Sequence, residues 1–293
     1  CQSTWLSKTF EISIPKEIKN SLSYDQNIPD KFKYIDKVDL TLSAQVKDGS
    51  IVKLHRTDKL LYSYLPTDET KYDFPVLVNT SFLTTANRES LHASSTWNQW
   101  LFTQIGTKLF EWIAELVQSE YQFQAYNLLP NKILSDTLGQ HFNKAMDIAL
   151  QTISFIPVKN GNLVKVKDAI VDFTFLSDKD YIGEEPIKKL LTAEDKHFTK
   201  NTGYGKKLNE LGATTFEWKN VSDLLLSVFF QSNHSTKNNI DLINHFHYLC
   251  HLEKTTDVKA EDMKNISFIL DHKKVLCVPQ QISFPSSDDT KWN

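Results

Sequence analysis

Residues Leu61 to Trp100 read LYSYLPTDETKYDFPVLVNTSFLTTANRESLHASSTWNQW and contain the strongest strand and helix signals of the chain. Two apolar runs, 60–65 and 74–78, flank a turn rich in Pro, Asp and Thr, which predicts strand, turn and strand. Apolar residues then follow a helical period, so we expect a helix over about 96–118. The polar loop between the second strand and this helix carries Arg88. Because strand and helix fix both ends of the loop, its arginine is well placed to reach out of the domain.

Upstream of this stretch, the sequence predicts further strands. Residues 38–46 alternate strictly between apolar and polar, and Asp48-Gly49 offers a tight hairpin turn before a strand at 51–54. A shorter alternating run, 10–14, stops at Pro15. These strands and the covering helix favour an α+β fold, an αβα layer over residues 1–128. Trp97 and Trp112 should then be buried on the helix.

Apolar periodicity stops near residue 128 and resumes at Ser135, so we place a domain boundary there and assign 129–293 to a mixed helical domain. Two segments of it read alike as strand, turn and strand, Ser154–Ile170 and Ser267–Ile282. Alternating apolar residues alone also generate such similarity, so a chance match of two small β-hairpins stays open. The other elements expected in this half are helices at 135–149, 206–211, 221–230 and 239–253 and a short strand at 214–218.

Amino-acid composition and net charge limit the classes of function that the chain can have. The 293 residues are 40% hydrophobic and 24% charged with a net charge of −3, so no overall field draws the chain to nucleic acid or acidic lipid. No run approaches a membrane span. Three scattered cysteines, Cys1, Cys250 and Cys277, fit a reducing cytoplasm. Because the chain begins at Cys1 without a signal peptide or an initiator Met, we expect it to be a piece of a longer protein.

Searches for known chemical motifs exclude several site types. The sequence has no phosphate-binding glycine motif, no G-x-S-x-G, no H-E-x-x-H and no paired-cysteine zinc signature. The segment HFHYLCH spaces His247 and His251 one helical turn apart with Cys250 beside them, which is typical of metal ligands. No second cluster supplies the remaining ligands. We therefore predict no metal site and interpret these residues, with His245, as structural.

Four motifs carry a resemblance to a known family. LYSYLPT, FPVLVNTSFL, NRE and WNQWL resemble the segment that follows the nucleotide pocket in sacsin-type ATPases, over about residues 30–117. These ATPases are relatives of the ninety-kilodalton heat-shock chaperone within the GHKL superfamily. The resemblance implies a chaperone middle-domain-like layer for the first half of the chain.

The resemblance also implies roles for single residues. In the chaperones the matching loop reads Arg-Glu before a long helix, and its arginine reaches the γ-phosphate of ATP, so Arg88 is the implied catalytic residue. Asn87, Glu89, His92 and Asn79 are the implied support of the phosphate site, with His92 standing where the chaperones carry glutamine. The residues alone leave other roles open: Arg88 in a salt bridge with Glu89 or Glu111, and both asparagines bonded to turn backbone.

Two functions follow as expectations. In the first, the chain is the middle segment of a chaperone-type ATPase that senses and relays nucleotide state. Its ATP and magnesium are held by an upstream domain of the same protein, and the fragment alone is inactive. A homodimer is compatible with this expectation, no membrane or nucleic-acid partner is indicated, and the client is not specified. In the second, the chain is a non-catalytic scaffold that binds protein or nucleic acid.

Overall fold

A computed structural model describes residues 3–24, 28–58, 60–133, 136–251 and 263–282. The described residues form two compact units. The first contains the chain up to Pro157 and the short segment Asn162–Val166, and the second contains Val158–Gly161 and the chain from Lys167 onward. Helices and strands occur in both, and the fold class is α+β, as the sequence predicts.

A six-stranded, mixed sheet forms the base of the first unit. Its spatial order is β1-β2-β6-β4-β5, with β3 also paired to β2; the β4–β6 pair is parallel and all other pairs are antiparallel. The strands are β1 (Ser3–Ser13), β2 (Lys37–Lys47), β3 (Ser50–Val52), β4 (Leu61–Ser63), β5 (Leu65–Pro66) and β6 (Leu77–Asn79).

Strand β2 organises the sheet because its side chains alternate between solvent and core. Its buried side chains share one face, and they are Val38, Leu40, Leu42, Ala44 and Val46. The hairpin from β2 to β3 turns at Asp48-Gly49, as the sequence predicts. Both residues have positive φ, +50° and +79°, the conformation that a two-residue type I′ turn requires.

Strand β1 is longer than the predicted run at 10–14. It pairs with β2 along its whole length, from Ser3 opposite Lys47 to Ser13 opposite Lys37. The amino-terminal part of β1 lacks a buried face, so its apolar alternation is too weak to be recognised in the sequence. Ladder hydrogen bonds to β2 extend the strand instead.

Three helices complete the first unit: α1 (Lys16–Tyr24), α2 (Thr96–Val117) and α3 (Thr137–Thr152). Helix α2 matches the predicted span within one residue. Trp97 and Trp112 on it are buried, 0% and 3% exposed, as predicted. An aromatic cluster joins the sheet side to both long helices: the Phe74 ring lies 5.8 Å from Phe102 on α2 and 5.2 Å from Phe142 on α3, centroid to centroid.

Helices α2 and α3 approach closely at Gly106. A Cβ at this position would lie 2.8 Å from the Cβ of Ala145 and 3.0 Å from the carbonyl oxygen of Phe142, so a glycine permits the contact. Asp136 caps α3 by accepting a hydrogen bond of 2.7 Å from the amide of Gly139. This packing places α3 in the first unit, which therefore extends beyond the boundary at residue 128 suggested by the loss of periodicity.

Asp136 also accepts a hydrogen bond from the hydroxyl of Tyr72, whose ring is buried. Burial, followed by this contact with a carboxylate, raises the pKa of Tyr72 above its ordinary value. One carboxylate thus satisfies both a helix amide and a buried hydroxyl.

The first of the two predicted hairpins pairs β7 (Ile156–Pro157) with β8 (Leu163–Val164), both in the first unit. Its turn includes Gly161 with φ +91°, and the tip Val158–Gly161 is assigned to the second unit. The second hairpin pairs β12 (Ile269–Leu270) with β13 (Leu276–Cys277) in the second unit. Each segment thus forms an antiparallel hairpin.

The second unit contains a small parallel sheet, of which the sequence predicts the short strand at 214–218 but not the pairing. Its strands β9 (Ala169–Asp172), β10 (His197–Phe198) and β11 (Thr214–Phe216) take the order β10-β9-β11. Around it lie α4 (Glu184–Leu190), α5 (Gly205–Glu210), α6 (Val221–Leu226), α7 (Val228–Gln231) and α8 (Thr236–His251).

The predicted helix at 221–230 is broken into α6 and α7 at Ser227, which is extended (φ −71°, ψ 148°) and whose hydroxyl accepts from the amide of Phe230. The core of this unit is apolar, with Phe198, Phe216, Leu224, Phe230 and Leu242 at 1% exposure or less. In the part of the chain that the structure describes, no helix is both long and apolar enough to cross a membrane.

Candidate functional site

The candidate site is the loop from Leu83 to His92 in the first unit, named here the arginine loop. It is a short loop between β6 and α2 that is closed by its own hydrogen bonds. The amide of His92 donates to the carbonyl of Leu83 at 3.1 Å, and Thr84 and Leu91 form an antiparallel bridge. These bonds close the base of the loop, so its tip is held in a defined conformation.

Arg88 lies at the tip in a left-handed backbone conformation, with φ +61°. Its amide donates to the carbonyl of Thr85 at 2.9 Å, and its own carbonyl accepts from the amide of Asp68 at 3.1 Å. A non-glycine residue in this region carries a steric cost of about 1–2 kcal/mol. The hydrogen bonds to Thr85 and Asp68 keep the backbone of Arg88 in this conformation despite that cost.

The guanidinium of Arg88 is half-buried and bonds to backbone rather than to a carboxylate. Nη2 donates to the carbonyl oxygens of Ser63 and Leu65, the latter at 3.3 Å, where the chain reverses between β4 and β5. Nε is buried and has no hydrogen-bond acceptor among the described residues. In the same part of the chain no ion pair includes Arg88, so the salt-bridge alternative with Glu89 or Glu111 is not realised, and Glu111 pairs with Lys108 instead.

Both candidate asparagines bond to local backbone and hydroxyl groups. The side-chain oxygen of Asn87 accepts from the hydroxyl of Thr85 at 2.8 Å and from the amide of Glu89 at 3.3 Å. The side-chain oxygen of Asn79 accepts from the amide of Tyr64 at 3.2 Å. These are the turn-stabilising contacts that short polar side chains make, and they shape the loops on either side of Arg88.

The other two predicted support residues are exposed. Glu89 follows Arg88 at the loop tip, and His92 lies at the base of the loop with its carbonyl accepting from Asn98 at 3.1 Å. The structure thus brings Asn87, Glu89 and Arg88 together at one tip. It leaves the His92 side chain at the other end of the loop.

The arginine loop is fastened to α2 by two residues that the sequence analysis did not single out as site residues. Asn98 is fully buried; its amide nitrogen donates to the carbonyl of Leu83 at 2.8 Å and its oxygen accepts from the amide of the same residue at 3.0 Å. Nε1 of Trp97 donates to the carbonyl of Ser81 at 2.7 Å. The first turn of α2 therefore holds the entry of the loop through backbone contacts.

The histidine-rich segment on α8 contributes no described metal site. His245 donates from Nε2 to the carbonyl of Thr174 at 2.8 Å and stacks on Tyr181 with 4.4 Å between ring centroids. The side chains of His247, Cys250 and His251 lie outside the described residues. Among the residues that are described, no group of three or more His, Cys, Asp or Glu side chains is arranged to hold a metal ion.

Comparison of the chain with protein-family models, with curated proteins and with solved structures finds no match.

Proposed function

We propose that this chain is the segment that follows the nucleotide pocket in a sacsin-like, chaperone-type ATPase of the cytoplasm. In this proposal Arg88 supplies its guanidinium to the γ-phosphate of ATP, and ATP and magnesium are held by an upstream domain. The observation that carries the proposal is a guanidinium without a carboxylate partner among the described residues, at the tip of a braced loop directly before a 22-residue helix. The first unit, a sheet with long helices, then corresponds to the chaperone middle domain.

The contacts of Arg88 permit it to exchange partners. Its present acceptors are two neutral carbonyl oxygens, and Nε has none. A phosphate carries negative charge and can accept two parallel hydrogen bonds from a guanidinium, whereas each carbonyl is a neutral, single acceptor. A phosphate presented to the loop tip would therefore compete with the carbonyls of Ser63 and Leu65.

The chemistry asked of Arg88 is electrostatic. Negative charge shifts among the oxygens of a phosphoryl group as it is transferred, and a permanently charged, planar fork stabilises that charge. The bound nucleotide and its magnesium would supply the reacting phosphoryl group. The contribution of this chain is to position one cation without a competing internal carboxylate.

The same loop offers a route for relaying nucleotide state. A movement of the loop tip toward phosphate is transmitted to its base, and Asn98 joins that base to the first turn of α2 by three hydrogen bonds. Helix α2 packs closely on α3 at Gly106, so both long helices respond to the position of the loop. Such coupling requires that the two loop positions differ in their affinity for nucleotide.

The test is ATP turnover by the full-length protein carrying Arg88→Ala or Arg88→Lys. We expect Arg88→Ala to lower the turnover number by about 10²-fold or more, as loss of a transition-state contact does. Arg88→Lys should restore little, because a point charge on a flexible stem does not reproduce a fork. ATP affinity, measured separately by calorimetry, should change less than turnover.

The control separates catalysis from stability. Arg88→Ala also removes two internal hydrogen bonds, so Asp136→Ala serves as a matched variant that removes two hydrogen bonds of the same unit without touching the arginine loop. We expect this control to lower the melting temperature but to keep the turnover of the parent. An Arg88→Ala protein that is as active as the control would contradict the role of Arg88. A full-length parent that binds no ATP would contradict the whole proposal and favour the scaffold function.

A further inference from the structure

A cavity of about 520 Å³ opens within the second unit, lined by residues of that unit alone. It lies where the parallel strands β9 and β10 end and their connecting loops begin. Loop residues after β9, among them Phe173 and Phe175, form one wall, and residues 199–203, 205 and 206 after β10 form the other. In parallel α/β sheets, ligands bind in the crevice outside the carboxyl ends of the strands. The volume lies within the range of roughly 300–1,000 Å³ found for small-molecule sites.

Three lysines line this cavity, and two of them have no partner in the part of the chain that the structure describes. Lys159 is held in place: its ammonium group donates to the carbonyl and hydroxyl of Ser177 at 3.2 and 3.1 Å and lies 3.9 Å from Glu184. Lys200 and Lys206, by contrast, form no hydrogen bond or ion pair with any described residue. Both lysines are exposed and line the same wall of the cavity, where their positive charges favour an anion.

The carboxylates of the cavity do not neutralise those lysines. Asp172 is already engaged, since its two oxygens accept from the amide and hydroxyl of Thr174 and from the amide of Ser177 at 2.7–2.8 Å. Asp178 also lines the cavity but forms no ion pair with a described residue. Lys159 is paired with Glu184 and Asp172 is turned to its own loop, so the lining leaves two lysines, Lys200 and Lys206, against one carboxylate, Asp178.

Four apolar side chains also line the cavity, beside polar residues such as Thr199, Asn201 and Thr202, and one of the four is an exposed ring. Phe175 has φ +64° and is 46% exposed, although an apolar side chain gains nothing from either condition. Val171, Phe173 and Leu208 complete the apolar lining. A planar group bound here would cover the exposed face of Phe175 and remove apolar surface from water.

Gly205 allows the segment after β10 to lie close to Phe173 and Val171, which line the cavity. A Cβ there would come within 2.9 Å of both Phe173 Cε1 and Val171 Cγ1. The segment from Thr199 to Lys206 reads TKNTGYGK, which matches no known phosphate-binding spacing, so the motif search does not find it. Folding brings its lysines beside the phenylalanines of another loop.

We propose that this cavity binds a small phosphomonoester that carries a planar ring, with the phosphate between Lys200 and Lys206 and the ring against Phe175. The phosphate would satisfy the two unpartnered ammonium groups, and hydroxyls of the lining such as Thr202 can donate to it. This site is independent of the proposed role of Arg88, because it lies wholly in the second unit and involves no ATP hydrolysis.

The test is a calorimetric titration of the full chain with phenyl phosphate, inorganic phosphate and phenol. Phenyl phosphate should bind more tightly than inorganic phosphate, and phenol should show no measurable binding at about 10 mM. Lys200→Ala and Lys206→Ala should each weaken phenyl phosphate about tenfold. Phe175→Ala should weaken phenyl phosphate while leaving the affinity for inorganic phosphate unchanged.

Lys207→Ala is the matched control, since it removes the same charge from the next residue. Lys207 does not line the cavity, and its ammonium group lies 3.5 Å from Glu210. We expect it to change phenyl phosphate affinity less than about twofold. Equal losses in Lys206→Ala and Lys207→Ala would overturn the site in favour of a diffuse field. Failure of the folded parent to bind phenyl phosphate at about 10 mM would overturn it outright.

Discussion

At the scale of single residues, the backbone of Arg88 can be tested apart from its side chain. Both Arg88→Gly and Arg88→Ala lose the hydrogen bonds to Ser63 and Leu65, but glycine adopts φ +61° without steric cost. We expect Arg88→Gly to be more stable than Arg88→Ala by about 1 kcal/mol, measured by urea unfolding. If alanine proved equal or better, the left-handed conformation would not be strained in the folded protein.

His234 is a second residue with a distinct prediction. Its ring lies 4.6 Å from that of Phe230, centroid to centroid, and both ring nitrogens are buried without a hydrogen-bond partner among the described residues. Burial lowers the pKa of His234 below its ordinary value, and the nearby side chain of Asn239 opposes this only in part. The folded state therefore favours the neutral imidazole of His234 over the protonated one.

The sign of the resulting pH dependence follows from linkage. The unfolded chain binds the proton at a higher pH, near about 6.5, than the folded chain does. The stabilising contribution of neutral His234 is therefore complete above about pH 6.5 and is lost as the pH falls toward the lowered pKa. We expect the free energy of unfolding of the parent to fall more steeply between about pH 7 and pH 5 than that of His234→Phe. Parallel curves for the two proteins would contradict this assignment.

At the scale of elements, α2 is the central helix of the first unit. Trp112 on it is 3% exposed, and its neighbours Leu109 and Ile113 are fully buried. Trp112→Ala should cost about 3–5 kcal/mol of unfolding free energy, because the side chain leaves a cavity that the packed helices cannot fill. Denaturant unfolding measures this loss directly. Glu111→Ala, at a half-exposed position on the same helix, is the control and should change stability by less than about 1 kcal/mol.

At the scale of the whole molecule, the proposed function predicts whether this chain hydrolyses ATP without the upstream domain. In the proposal the groups that hold ATP and magnesium belong to an upstream domain. We therefore expect the 293-residue chain to release no phosphate from ATP above background in a magnesium-containing buffer. Sustained magnesium-dependent turnover by the chain alone would show that the catalytic pocket lies within it.

The elements that can be predicted from the amino-acid sequence are those with long, local patterns. The period of α2 extends over 22 residues, and its apolar positions predict both the span of the helix and the burial of Trp97 and Trp112. The alternation of β2 and the Asp48-Gly49 turn likewise predict a half-buried strand and its hairpin. These patterns can be recognised because they relate each residue to neighbours three or four positions away in a helix, or two positions away in a strand.

The tertiary structure alone decided the contacts between distant segments. Strands β9 and β10 have only four and two residues, too few for a pattern, and their hydrogen bonds come from parallel pairing with each other and of β9 with β11. The direction of the Arg88 guanidinium depends on backbone carbonyls, which every residue carries and which no sequence motif marks. The two lysines and Phe175 lie on different loops, after β10 and after β9, and line one cavity only in the folded chain. The sequence gives the charge and size of each side chain, but not which distant side chains lie near it.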